Sequence, residues 1–329
     1  MTRTLVAAAL LAQALALPAL ADSQRLDLAN EYSANSLVGL ADRDFIERAQ
    51  ALSGGSLEIT PHFGGALGFK SKDHFDAVAD GAVPIAGTYT GVFTGIDPIF
   101  ALSSMPFQAP TIEDAHALYL AARPAYERVF AANNQKLLYA APYTPTGIWA
   151  GKPLNELAAF EDLKIRTYDA AGVAVFQQIG AAPIQLSWAD TIPQLSTGGV
   201  DAILTSDETG IAGSLWEHLS HFNAVPYSVA INMTHMNRAV FDGLDPAQQA
   251  AIEEAAREAE AAAWQRSADR VAGNARILAE KGVVVVEAPA DLIAQLQAAG
   301  DVVLADWLEE TGAEGDAIIA AYRSQVAGD

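Results

Sequence analysis

Cysteine is absent from all 329 residues. No disulfide can staple this chain, and a zinc centre built on thiolates is excluded. The apolar core alone must hold the fold, which a chain of this length can achieve. Basic residues are scarce as well. Only 19 Lys and Arg stand against 40 Asp and Glu, for a formal charge of −21. Such a field repels nucleic acid and polyanionic membrane surfaces, so an anionic small ligand needs a local cation. Charged residues make up 18% of the chain and apolar ones 51%, a globular rather than a disordered balance. Catalytic signatures are missing too: there is no HExxH, GxSxG, SxxK, GxGxxG or GxxxxGK[ST]. Of six histidines (His62, His74, His116, His218, His221, His235), only His218 and His221 have a ligand-like spacing. No carboxylate-rich motif accompanies them, so a structural role is expected. The acidic residues pair in no catalytic pattern, and no cofactor or metal is expected. Nothing here reads as an enzyme.

Long apolar runs are confined to the start. Met1 to Thr4 is a short basic segment, Leu5 to Leu17 is apolar, and Ala19-Leu20-Ala21 is an A-x-A cleavage site. This predicts a signal peptide over 1–21 and a mature chain beginning at Asp22 in the periplasm. Arg3 is its only charged side chain, so the mature chain carries 18 basic and 40 acidic residues, a charge of −22.

Beyond the cleavage site the chain alternates strands and helices. Arg25–Tyr32, Leu57–Thr60 and Val83–Tyr89 read as strands around helices at 36–52 and 73–80, a βαβαβ unit. A helix over 112–132 and a strand over 136–141 come next. Pro142 to Trp149 holds two prolines and a glycine and reads as a stiff extended crossing. The stretch 160–210 is again strand–helix–strand–helix–strand: Leu163–Tyr168, Ala170–Ile179, Ile184–Leu186, a helix capped by Ser187, and Val200–Leu204. Leu215–Phe222 reads as a short helix, and Ala224–Met233 as an extended return to the first lobe. Asp245-Pro246-Ala247-Gln248 is a capping box with proline at the first helical position. The helix it opens runs to Lys281, where Gly282 stops it, and its small alanines suit close packing across both lobes. A strand over 283–286 and two helices over 291–325 complete an α/β fold.

Ligands in such sheets bind beyond the carboxyl ends of strands. Arg166 lies at one such end and Thr205-Ser206-Asp207 at another. Arginine's planar fork matches a carboxylate or sulfonate with two charge-assisted bonds. Pairing of Arg166 with a structural aspartate such as Asp169 is the competing reading.

Phe160-Glu161-Asp162-Leu163-Lys164-Ile165-Arg166, Gly180-Ala181-Ala182-Pro183 and Gln194 to Ala202 (QLSTGGVDA) closely resemble the solute-binding proteins of TRAP transporters, of the DctP type. A Met-Pro-Phe segment at 105–107 and the long late helix extend the likeness over most of the mature chain. The resemblance implies a two-lobe periplasmic binding protein of class II-like plan, with hinge strands and a long helix spanning both lobes. It implies lobe I at 22–142 plus about 232–270, and lobe II at 143–231 plus about 271–329. It implies a small organic anion clamped by Arg166, with Thr205, Ser206 and Asp207 adjacent. Three departures stand out: the motif's glycine after Leu163 is missing, V-D-G has become Val200-Asp201-Ala202, and the second arginine of several relatives is replaced by Thr146-Gly147-Ile148-Trp149. One arginine favours a monoanion, with Trp149 as an apolar wall. Trp188, at the start of a helix, is a further candidate, and Asn30, Glu31, Tyr32, Tyr89 and Asn232 are candidates for the opposing wall. The implied partners are the small and large permease subunits, with the receptor a monomer or dimer. A binding protein of an ATP-driven importer, or a periplasmic hydrolase or lyase, are the alternatives.

Overall fold

A computed structural model describes residues 23–327; the expected signal peptide, 1–21, lies outside them. The strands are β1 (Gln24–Asn30), β2 (Leu57–His62), β3 (Ile85–Tyr89), β4 (Gln135–Pro142), β5 (Thr146–Ala150), β6 (Lys164–Thr167), β7 (Ala182–Gln185), β8 (Ala202–Ser206), β9 (His221–Ala224), β10 (Ile231–Asn237) and β11 (Val284–Glu287). The helices are α1 (Leu37–Leu52), α2 (His74–Ala79), α3 (Ile112–Ala132), α4 (Ala170–Gln178), α5 (Trp188–Ser196), α6 (Asp207–Ala212), α7 (Arg238–Asp242), α8 (Pro246–Glu280), α9 (Ala290–Thr311) and α10 (Ala313–Val326). They build two sheets, ordered β2-β1-β3-β10-β4 and β11-β9-β5-β8-β6-β7. In the first, β1 runs parallel to β2 and β3, while β10 is antiparallel to β3 and β4. In the second, β5 runs against both β8 and β9.

The chain therefore crosses between sheets on two extended segments, between β4 and β5 and between β9 and β10, and a third time through α8 between β10 and β11. The two segments are extended because Pro142, Pro145 and Pro226 disfavour helix. They also hold each other: Tyr143 donates its N–H to Ala230 O at 2.9 Å, and Thr146 to Ser228 O at 2.8 Å. A third element spans both sheets. Helix α8, about 52 Å long at 1.5 Å per residue, packs its first half on α1 and β4 and its second half near α6 and β11. Its capping box forms as the sequence requires. Asp245 accepts from Ala247 and Gln248 N–H at 2.9 Å, Gln248 Oε1 accepts from Asp245 N–H at 3.2 Å, and Gly282 ends the helix at φ +77°. Buried Ala251, Ala255 and Ala259 let α8 approach Phe45 and Ala49 of α1.

One expectation is corrected. Residues 215–222 are not one helix: a 3₁₀ turn over Leu215–Glu217 leads into β9. Helix α9 packs on α4 beside the second sheet, whereas α10 packs on α3. Trp307, Ile318, Ile319 and Tyr322 join the core of Phe100, Tyr119 and Tyr126, and Trp307 Nε1 donates to Pro98 O at 2.7 Å.

Candidate functional site

Between the sheets lies a cleft with an outer chamber of about 280 Å³ and a smaller inner cavity of about 20 Å³. Tyr32, Tyr89, Arg166, Tyr168 and Trp188 line both. Arg166 is the hub. It sits on β6, flanked by parallel β7 and β8, and its guanidinium is fixed by two backbone carbonyls. Nε donates to Leu186 O at 3.0 Å, and one terminal nitrogen to Leu204 O at 3.3 Å. Its carbon lies 5.8 Å from the ring centroids of both Tyr168 and Trp188. Only 2% of the residue is exposed, and burial pulls its pKa down, yet arginine keeps its proton at any physiological pH. Among the described residues no carboxylate comes within 4 Å of it. Asp169, the competing partner, is otherwise engaged. It caps α4 through Gly172 N–H at 2.8 Å and accepts from Tyr89 Oη and Ser104 Oγ, each at 2.6 Å. The result is a buried cation with unspent donors facing a cavity.

The opposing wall comes from the first sheet. Glu31 Oε2 accepts from Ser71 N–H and Oε1 from Ala189 N–H, both at 2.8 Å. One carboxylate thus joins the 3₁₀ turn at 71–73 to the start of α5 across the cleft. Beside it, Lys70 Nζ meets Asp190 at 2.7 Å, and the Tyr32 ring stacks on Trp188 at 6.1 Å and 20°. Burial, followed by the nearby Glu31 charge, pushes the Tyr32 phenol up to about 12.

The structure brings together Arg166, Tyr32, Tyr89, Trp188 and Glu31 in the outer chamber, and Thr205 and Ser206 in the inner one. Ser206 is also spoken for as the cap of α6, accepting from Thr209 N–H at 3.0 Å. Four candidates line neither chamber. Trp149 is fully buried against Phe222, and its Nε1 donates to Ser206 O at 3.2 Å, because β5 sits mid-sheet and turns that face into a core. Asn30 donates to Asp42 Oδ2 at 2.6 Å and accepts from Tyr32 N–H, beneath the site rather than in it. Asp207 ties Thr144 of the first crossing to Asn274 of α8. Asn232 is wholly buried and lines neither chamber, but both polar atoms of its side chain lack a partner. Sequence reasoning missed Tyr168 and Tyr143. Tyr168 was accessible to it, because residues two apart in a strand share a face. Among the described residues no cluster of metal-ligating side chains occurs, and no helix is long and apolar enough to cross a membrane.

Residues 28–311 match the family model of the bacterial extracellular solute-binding proteins, family 7, known as DctP. The chain belongs to this family. Its fold agrees with solved members. A TRAP solute-binding protein from a marine metagenome, specific for pyroglutamate, is 30% identical with a TM-score of 0.88, over 92% of this chain and 99% of that one. DctP6 of Bordetella pertussis, an extracytoplasmic solute receptor binding pyroglutamic acid, is also 30% identical at a TM-score of 0.88, over 92% of this chain and all of its own. The 2,3-diketo-L-gulonate-binding periplasmic protein YiaO of Escherichia coli is 24% identical over 243 residues, 72% of this chain and 73% of its own. Members of the family are substrate-binding receptors of transport systems, not enzymes, and the two-sheet architecture with its paired crossings is the family's.

Proposed function

We propose that this receptor, exported to the periplasm after loss of residues 1–21, captures a small organic monoanion and presents it to the small and large subunits of a TRAP permease. The observation that carries the reading is Arg166: a buried cation, held by two backbone carbonyls and free of carboxylates, at the junction of both chambers. Its remaining N–H donors suit a carboxylate or sulfonate, each charge-assisted bond contributing about 1.5–3 kcal/mol. Glu31, Asp190 and Lys72 line the outer chamber, so a second ligand carboxylate would meet two anions against one cation there. That favours a monocarboxylate over a dicarboxylate. Pyroglutamate, bound by two relatives at 30% identity, is the first acid to test.

The two sheets, with 22–142 plus about 232–270 on one side and 143–231 plus about 271–329, apart from α10, on the other, act as lobes that close on the ligand about the paired crossings. Helix α10 rides with the first lobe. A ligand touching both lobes binds the closed form better and so shifts the population toward it. A thermal-shift and calorimetry panel of monocarboxylates, sulfonates and dicarboxylates tests this. One-to-one binding with a raised melting temperature is expected for a monocarboxylate. Tighter binding of a dicarboxylate than of every monoanion would sink the reading.

A further inference from the structure

We infer that Asn232 reads the amide edge of the ligand, and that the ligand is therefore a monocarboxylate carrying a cis-amide, such as a lactam. This rests on the reading of Arg166 as the carboxylate anchor and adds the other half of the contact.

Asn232 lies on β10, and its place there is fixed by register. Its Cα partners are Tyr89 on β3 and Ala141 on β4. Ala230, just before β10, lies two residues ahead of it, and Tyr143, just after β4, two beyond Ala141. Tyr89, Ala230 and Tyr143 all line the inner cavity that also holds Arg166. Asn232 thus lies in the middle of three residues that wall the site, one layer beneath them. Its exposure is zero, and neither Nδ2 nor Oδ1 has a hydrogen-bond partner. The neighbouring Tyr143 hydroxyl is likewise buried and unpartnered.

Neighbours on the same face behave differently. Asn30, Thr234 and Tyr139 all donate to Asp42, at 2.6, 3.0 and 2.5 Å. Satisfied polar groups are the rule in a protein interior, and this sheet face obeys it until the cleft is reached. The exception is a carboxamide, which presents one donor and one acceptor side by side. That edge is complementary to a cis-amide, whose N–H and C=O also point the same way, giving two parallel hydrogen bonds. A carboxylic acid without such an edge leaves both Asn232 atoms unpaired, and unpaired buried groups are how sites reject analogues that lack a partner. The inner cavity of about 20 Å³ is small, but its Tyr32 and Trp188 walls also border the 280 Å³ chamber.

The test needs no variant to begin. In calorimetry with the full mature chain, pyroglutamate should bind at least tenfold more tightly than cyclopentanecarboxylate and than N-methyl-pyroglutamate. N232L, which keeps the volume and removes both polar groups, should fold with an unchanged or raised melting temperature. It should level the affinities of pyroglutamate and cyclopentanecarboxylate, whereas the carbocycle's own affinity stays at the wild-type value. Equal binding of the three acids by the wild type, or a preference that persists in N232L, would overturn the proposal and leave Asn232 holding a buried water only. Binding of another acid with no dependence on Asn232 would overturn it too, with the Arg166 reading intact. If no acid binds the wild type, the Arg166 reading fails and this one with it.

Discussion

The two walls of the cleft handle charge in opposite ways. On the second-sheet side Arg166 is positioned by carbonyl oxygens, which orient the guanidinium without neutralising it. On the first-sheet side both oxygens of Glu31 are taken up by backbone N–H groups, one from each side of the cleft. Both residues are buried, at 2% and 3% exposure. Burial therefore does not distinguish an available charge from an employed one; the partners do. In the proposed function the cation is left for a ligand, and the anion serves the closed form.

That contrast can be broken most sharply at Arg166. R166A should weaken ligand binding at least 100-fold by calorimetry, since two charge-assisted bonds are lost together. Its melting temperature should hold or rise, because an unpaired buried charge is removed. R166K should recover only part of the affinity, a point charge being a poor substitute for the fork. A melting temperature that collapses in R166A would recast the arginine as structural. Next comes E31Q, which keeps one acceptor oxygen and replaces the other by a donor. One cross-cleft bond is lost, and affinity should fall about tenfold, about 1.4 kcal/mol. Unchanged affinity would show that the Glu31 bridge adds nothing to closure.

A smaller effect should appear with pH beneath the first wall. His74 bonds Thr88 at 2.8 Å, Thr88 bonds His235 at 3.0 Å, and His235 bonds Gln135 at 2.6 Å. Burial lowers His74 to about 4 and His235 well below its ordinary value. Both stay neutral in the folded chain while the unfolded chain takes up protons below about pH 6.5, so their effect is to lower stability as pH falls from 6.5 toward 4. Asp42, raised to about 6 by burial, works the other way over roughly pH 6 to 4. Nitrogen-edge NMR should find neither imidazole protonated at pH 5. D42N should show a steeper fall in melting temperature between pH 6.5 and 5 than the wild type. The smallest change is expected from K70A. The Lys70–Asp190 pair is more than a third exposed on both sides, so its loss should barely move the melting temperature, and the difference should vanish in high salt.

Arg166 and most element boundaries were legible in the sequence because local chemistry sets them. Ser36, Thr111 and Asp245 cap the helices they precede, and a glycine at positive φ follows α8. Side-chain direction was less legible. Trp149 and Asn30 lie at strand positions as well placed along the chain as Tyr89, but which face of a strand meets the cleft depends on its neighbours in the sheet. For β5 those neighbours are β8 and β9, which the order of the chain does not reveal. The packing of α10 was illegible for a related reason. Its apolar face announces burial but not the partner, and α3 lies some 180 residues earlier.

The stacking of Trp188 on Tyr32 gives the molecule an optical reporter. Of its five tryptophans, Trp149, Trp264 and Trp307 are buried away from the cleft, and Trp216 lies under Lys281. Trp188 alone lines both chambers, beside a guanidinium and against a ring from the other sheet. Any separation of the sheets strips that partner away and admits water to the indole. Stopped-flow emission on the unlabelled protein should therefore follow opening and capture in real time, with four tryptophans as a steady background.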